Sequence, residues 1–312
     1  MRWIVVGPGA VGGYFGARLI AAGEEVSFLA RGRTLEALRA KGLQVDSVLG
    51  DLTLPKVKAS GVPAELGKAD VVLVAVKGWQ LDGSLDAIAE FARGGATIMP
   101  LLNGVDAESV LLTRVPRKQL MLGLCAILST VAEPGHIRHF GMVPSFRFGE
   151  IDNSPSARAA NTLAALKRAG VDAAIPPNIH VALWEKYMFI AGLGSVSAAA
   201  RTPVGEVRST PATRELLERA VREIHTLGRA CGVALADDAV ARTLAFIAKL
   251  PPEGTTSMQR DLAQGKRSEL DLLTGSAVRI GREKGVPTPV HETLYAVLLP
   301  SELAARKAAA NS

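Results

Sequence analysis

Near the start of the chain, Gly7-Pro8-Gly9-Ala10-Val11-Gly12 forms a GxGxxG pattern. It directly follows an apolar run, Trp3 to Val6, and opens a helix-patterned stretch. That spacing suits phosphate binding. Gly7 permits a tight turn, Gly9 lets the main chain approach a pyrophosphate, and Gly12 lets the helix pack on the strand. The helix N-terminus then offers unpaired N–H groups and a partial positive charge. A lone GxGxxG is weak, but this context favours a dinucleotide site over a mere strand–turn–helix. The end of the second strand selects the dinucleotide. An acid there would hold the ribose 2′-hydroxyl of NAD, whereas this chain has Arg31, in Leu29-Ala30-Arg31-Gly32-Arg33. A guanidinium can grip a 2′-phosphate as a fork, so NADP is expected over NAD, with FAD less favoured still.

Other residue sets that do chemistry are absent or incomplete. His136 and His139 lie three apart in a predicted strand and face opposite sides, and no cysteine or carboxylate pair completes a metal site. His180, His225 and His291 are isolated. No hydrolase nucleophile motif occurs. Cys125 and Cys231 sit in apolar company, read as core, and cannot build a disulfide framework.

The elements that must position the glycine loop are legible. Trp3 to Val6, Val26 to Ala30, Asp70 to Val76 and Thr97 to Leu101 read as strands alternating with helical patterns. This is the signature of an α/β, Rossmann-type doubly wound parallel sheet. Leu124 to Thr130, Ile137 to Phe140 and Ser145 to Gly149 read as antiparallel additions. After Pro176-Pro177 helical periodicity takes over, in Ala182 to Ala200, Arg214 to Ala230, Asp238 to Leu250, Met258 to Gln264 and Glu269 to Lys284. An N-terminal domain over 1–172 and an all-helical C-terminal domain over 173–312 are expected. The alanine-rich tail after Ala304 is expected to fray.

Composition narrows the function class. The 312 residues are 48% apolar and 21% charged, enough to bury two cores and too apolar for general disorder. Aromatics at 4% and a spread net charge of +6 argue against nucleic-acid binding. One basic cluster, Arg31, Arg33, Arg39 and Lys41, suits an anionic small molecule. Apolar runs fall short of a bilayer span, and Gly7 and Gly9 interrupt any signal-peptide core, so a cytoplasmic protein off the membrane is expected.

Beyond the fingerprint, the chain resembles the ketopantoate reductase (2-dehydropantoate 2-reductase) family along essentially its whole length. The segments that carry the resemblance are Val76-Lys77-Gly78-Trp79-Gln80, Leu101-Leu102-Asn103-Gly104-Val105, Glu133-Pro134-Gly135-His136, Leu183-Trp184-Glu185-Lys186, Thr256-Ser257-Met258 and Ser268-Glu269-Leu270-Asp271. The resemblance implies NADPH-dependent reduction of a 2-keto acid, in the family ketopantoate to pantoate, a step of pantothenate biosynthesis. It implies that Lys186 is the catalytic proton donor, stabilising charge on the carbonyl oxygen as hydride arrives. Glu269 would bind the substrate hydroxyl and orient the lysine, and Ser257 would bind the substrate carboxylate. Asn103 would meet the nicotinamide end of the cofactor and the substrate, with Lys77 near the cofactor. Blander readings exist for each: a solvated helix lysine, a first-turn acid in an S-x-x-D helix start, a helix-capping serine and an ordinary Asn-Gly turn.

The chain departs from the family in one place. Asparagines usual four and eight residues after the lysine are replaced by Ile190 and Gly194. A bulkier, more apolar 2-keto acid is therefore expected to fit, with Ser195 or Ser197 able to compensate if the helix register shifts. Two rivals remain. One is a dehydrogenase of the same superfamily acting on bulky apolar D-2-hydroxy acids. The other is a non-catalytic NADP sensor, which would need neither Lys186 nor Glu269. The helical domain could also supply a homodimer surface.

Overall fold

The computed structural model describes residues 1–310; Asn311 and Ser312, counted above in the second domain, lie outside the described residues. The chain forms two compact units, Met1–Leu102 with Ala107–Ile179, and Asn103–Asp106 with the residues from His180 onward.

The first unit opens with β1 (Arg2–Val6), α1 (Ala10–Ala21), β2 (Glu25–Leu29) and α2 (Gly32–Lys41). Three short strands follow, β3 (Leu43–Ser47), β4 (Leu52–Leu54) and β5 (Lys58–Ser60), then α3 (Pro63–Leu66) and β6 (Val71–Val74). After α4 (Leu85–Arg93), β7 (Thr97–Pro100) and α5 (Ala107–Leu112) come β8 (Met121–Ala126), β9 (Ser129–Glu133), β10 (His136–His139) and β11 (Ser145–Glu150). Helix α6 (Ala157–Arg168) and β12 (Asp172–Ala174) complete it.

The main sheet is five-stranded and wholly parallel, in the order β5-β2-β1-β6-β7. Trp3 to Val6 and Val71 to Val74 are buried throughout, as central strands covered on both faces must be. Chain order reverses between β1 and β6, which makes their carboxyl ends the switch point at which open parallel sheets bind ligands. The expected antiparallel additions are present: β11 pairs antiparallel with β8, and β10 with β9. They form separate three- and four-stranded sheets, and each also holds a parallel pair, β11 with β12 and β10 with β3. His136 and His139 diverge as expected, the first towards Asp46 and the second, buried, towards Ser47.

The second unit is helical: α7 (Ile179–Ala200), α8 (Val204–Ser209), α9 (Pro211–Ala230), α10 (Ala239–Ala248), α11 (Ser257–Ala263), α12 (Ser276–Lys284) and α13 (Pro289–Ala310). Helix α9 begins with Pro211 at its first position and buries Leu217, Ala220, Val221, Ile224 and Leu227, an i, i+3, i+4 stripe. Helix α7 is apolar on nearly every side, the pattern of a central helix, and Tyr187, Met188, Ala191, Leu193 and Val196 are all buried. A π-helical turn, Asp271–Gly275, precedes α12.

The tail does not fray after Ala304; α13 continues to Ala310. Ala305 is buried, and Arg306 bonds to both Glu302 and Asp271, so tertiary contacts hold what local sequence leaves marginal. At its other end, the Glu223 carboxylate of α9 accepts from the free N–H groups of Val290 and His291, capping α13 from outside.

Candidate active site

In the first unit, the glycine loop has the geometry its spacing implies. Gly7 takes a φ of +88°, where a side chain would be strained, and a Cβ there would also stand 2.8 Å from Val76 Cγ1. A Cβ on Gly12 would lie 2.4 Å from the Gly7 carbonyl oxygen and 2.8 Å from Val5 Cγ1, so α1 can approach β1 only with glycine there. Gly9 instead borders open space. It is the N-cap of α1, no side chain caps that helix end, and no acid lies in its first turn. The N–H groups of Ala10, Val11 and Gly12, with Pro8 buried behind them, can therefore receive an anion. These residues fit a dinucleotide pyrophosphate.

Gly7 N–H donates to the Leu29 carbonyl, which sets the end of β2 beside the loop. Arg31 follows two residues later as the exposed N-cap of α2, its guanidinium reaching the Gly83 carbonyl at 3.4 Å. Lys77 follows the end of β6; its Nζ lies 5.7 Å from the centre of the Trp79 ring. The expected basic cluster divides along α2. Arg31 and Arg33 stand at its start, while Arg39 and Lys41 fill its last turn, where cations suit the helix dipole, and Arg39 donates to the Ala59 carbonyl.

The second unit brings together three of the four residues expected to handle substrate. Lys186 and Glu185 are the two formally charged side chains of apolar α7. Glu185 pairs with Arg242 at 2.6 Å. Lys186 Nζ donates to Asn103 Oδ1 at 2.9 Å, and Asn103 Nδ2 donates to Glu269 Oε2 at 3.0 Å. An ammonium only donates and a carboxylate only accepts, so the amide orientation follows from its two neighbours. Asn103 thus ties the ammonium to the carboxylate. Lys186 is half-buried, and Glu269 is 6% exposed.

The Asn-Gly reading and the functional reading of this loop hold together. Gly104 turns at a φ of +84°, and a Cβ there would lie 3.0 Å from the Leu272 carbonyl. That turn seats Asn103 against the segment carrying Glu269, and Asp106 secures the loop by accepting from Ser276 and Arg279.

Three local expectations are corrected. Thr256, not Ser257, caps α11, with its hydroxyl accepting from Gln259 N–H at 3.2 Å. Ser257 is the exposed first residue of that helix, and among the described residues no hydrogen bond joins it to Asn103, Lys186 or Glu269. Glu269 is not a solvated first-turn acid, because its own carbonyl accepts from Leu273 N–H as the helical turn begins and its side chain is buried. Ser195 cannot replace a missing amide, since it points to the opposite face of α7 from Lys186 and bonds Thr274 at 2.7 Å. Ser197 is fully buried with its hydroxyl unpaired.

Ile190 and Gly194 continue the Lys186 face of α7 one and two turns on. Space left by Gly194 is bounded by Met258 Cε at 3.4 Å and Thr256 Oγ1 at 3.9 Å. Cys125 is buried, as expected for core, whereas Cys231 caps the end of α9 and is partly exposed. Beside the lysine, Tyr187 donates to the Leu273 carbonyl at 2.5 Å, and burial, followed by the charge of Asp106, pushes its phenol well above the ordinary range. It stays a neutral donor.

Sequence reasoning missed the groups behind Glu269. Glu302 and Arg306 of α13, with Tyr295, bond to Ser268 and Asp271 on either side of it. A charged pair spaced i, i+4 in an alanine-rich tail is the one local signal that pointed there.

Comparison with known proteins agrees with this arrangement. Residues 3–153 match the family described as "Ketopantoate reductase PanE/ApbA", and residues 178–302 match its C-terminal domain. An uncharacterized oxidoreductase, YkpB of Bacillus subtilis (strain 168), is 30% identical over 96% of this chain and 98% of its own. The crystal structure of a PanE/ApbA family ketopantoate reductase from Ralstonia eutropha JMP134 aligns with a TM-score of 0.87 and 31% identity, covering 98% of this chain and 100% of that one. A D-mandelate dehydrogenase solved with NADH and anilino(oxo)acetate shares the fold, with a TM-score of 0.88 at 21% identity over 98% of this chain and 100% of its own.

Proposed function

The chain belongs to the ketopantoate reductase family of NAD(P)H-dependent oxidoreductases, and from that premise we propose that it reduces a 2-keto acid with NADPH, Lys186 giving the proton. The observation that carries this reading is the Lys186–Asn103–Glu269 chain of hydrogen bonds on an otherwise apolar helix. A non-catalytic NADP sensor would have no use for it.

When bound, the nicotinamide supplies hydride to the keto carbon. The chain's own residues do the rest. Lys186, held by the Asn103 carbonyl, offers an N–H to the keto oxygen, stabilises its growing charge and passes it a proton. Glu269, held by the other end of the same amide, accepts from a substrate hydroxyl. Ser257, exposed at the start of α11, is positioned on a helix end suited to the substrate carboxylate. In the first unit, Gly7 to Gly12 cradle the pyrophosphate, Arg31 takes the 2′-phosphate and Lys77 attends the cofactor. The exposed guanidinium of Arg31 beside the end of β2 supports NADPH over NADH.

Ketopantoate is the substrate the family points to, and pantothenate biosynthesis the process. A second reading is favoured by Ile190, Gly194 and Met258, which leave an apolar recess along the Lys186 face. On that reading the natural pair is a bulkier apolar 2-keto acid and its D-2-hydroxy acid.

The test is loss of NADPH absorbance with ketopantoate and with 2-keto acids of increasing apolar bulk, NADH run alongside. Turnover of ketopantoate supports the first reading, and turnover of bulky acids alone supports the second. Cofactor binding without turnover of any acid would overturn both.

A further inference from the structure

Glu302 lies near the end of the chain and is 0% exposed. Glutamate is rarely buried outright unless paired, because removing its charge from water costs several kcal/mol. Here both oxygens are engaged. Oε2 accepts from the Ser268 N–H at 2.9 Å and from the Ser268 hydroxyl at 2.6 Å, and Oε1 accepts from Arg306 Nε at 2.8 Å. The guanidinium of Arg306 continues to Asp271 Oδ2, and Asp271 Oδ1 accepts from the Tyr295 hydroxyl at 2.8 Å. These bonds close a ring through Ser268, Glu302, Arg306 and Asp271. The ring brackets two residues, Glu269 and Leu270, just where the backbone enters its π-helical turn.

A π turn leaves backbone register less determined than an α-helix, so the chain ahead of it needs an outside restraint. Leu270 is buried and fixes its side of the segment by packing. Glu269 faces Asn103, and among the described residues the ring supplies the polar ties that set its backbone on both flanks.

We propose that Glu302 is a positioning residue for the reaction, holding Glu269 in register so that its carboxylate fixes the Asn103 amide and, through it, the Lys186 ammonium. This rests on the reading of Lys186 and Glu269 given above. Arg306 shares the task by joining the two flanks. A misplacement of an ångström at a reacting group costs orders of magnitude in rate, so small shifts in this ring reach turnover.

Glu302→Gln retains the volume but can satisfy only one side of the ring, because its amide nitrogen must face either the Ser268 N–H or Arg306. The expected result is a fall in kcat of about tenfold, with NADPH affinity changed less than about twofold. In a Glu269→Gln background the same substitution should change kcat by less than about twofold, since the group it positions is already disabled. Equal losses in both backgrounds would mark a general structural role and overturn the proposal.

A second readout needs no turnover. The side-chain amide resonances of Asn103 should move in Glu302→Gln protein, and unmoved resonances would overturn the proposal. If no 2-keto acid is reduced by the unmodified protein, the functional reading fails and the amide resonances still decide whether Glu302 positions Glu269. Should Glu302→Gln not fold, Ser268→Ala removes only the hydroxyl donor. It should shift the same resonances and lower kcat about threefold, again only where Glu269 is intact. An unchanged spectrum and rate would equally overturn it.

Discussion

Asn103→Asp is a sharp test of the hydrogen-bond chain because it changes one atom type and almost no volume. In the native protein the Asn103 amide gives a hydrogen to Glu269 across 3.0 Å and receives one from Lys186 across 2.9 Å. With aspartate at that place, two carboxylate oxygens face each other at about the same separation. At an effective dielectric of about 20, unit charges about 3 Å apart repel by about 5.5 kcal/mol. That is equivalent to about four decades of proton affinity. The Lys186 ammonium and the partial exposure of residue 103 offset about half of it. The new carboxylate pair should then hold one shared proton to a pH about two units above that of an isolated carboxyl. While protonated, the pair reproduces the native pattern, a donor towards Glu269 and an acceptor towards Lys186. Once the proton leaves, repulsion separates the two groups and releases the ammonium. Activity of the variant should therefore approach the native level in weak acid and fall by tenfold or more, on the order of 1.4 kcal/mol, by about pH 8. The assay is kcat/KM for the best 2-keto acid between about pH 5 and 9, native and variant together. Parallel profiles for the two proteins would refute the reasoning, as would a variant more active in base than in acid.

Three further outcomes follow from the geometry. Lys186→Ala should abolish turnover while NADPH affinity, measured by fluorescence titration, stays within about twofold; an unchanged rate would remove the proton-donor assignment. Gly12→Ala should lower stability by about 2 kcal/mol and the melting temperature by several degrees, because its Cβ would meet the Gly7 carbonyl oxygen and Val5 rather than a flexible side chain. Glu150 supplies a pH-dependent stability. Burial acts to raise its carboxyl, but hydrogen bonds from Arg158 and Ser156 outweigh burial and hold it below the usual glutamate value of 4.5. A depressed carboxyl stabilises the fold above its unfolded pKa and loses that contribution as pH falls through the folded one. Arg158→Ala should therefore lower the melting temperature most at neutral pH, with the difference shrinking below about pH 4; a difference independent of pH would contradict the assignment.

Local physics made part of this protein legible. A β-branched run followed by glycines at fixed spacing is decided within a dozen residues, so β1, the loop and α1 could be read directly, as could amphipathic α9 with its proline start. Strands β3, β4 and β5 escaped notice because they are three to five residues long and half exposed, with no period to recognise. Helix α13 escaped because Pro300 interrupts its pattern, and only burial of Ala305 and Glu302 carries it on to Ala310. One residue separates Thr256 from Ser257, and sequence could not say which hydroxyl caps α11, because either suits the position.

The site divides in the same way. The phosphate cradle is contiguous, so its residue types and spacing already implied the backbone geometry that binds an anion. Asn103, Lys186 and Glu269 lie 83 and 166 positions apart along the chain, and no periodicity links them. Family resemblance named them, but only folding showed that one amide joins the other two. Composition could not reveal that Ser195 turns to Thr274, that Ser257 stands exposed, or that a carboxylate at position 302 closes a ring around Glu269. Spacing along a chain determines which groups can meet through local backbone geometry. Which distant groups do meet is decided by packing, where the burial of each polar atom obliges it to find a partner.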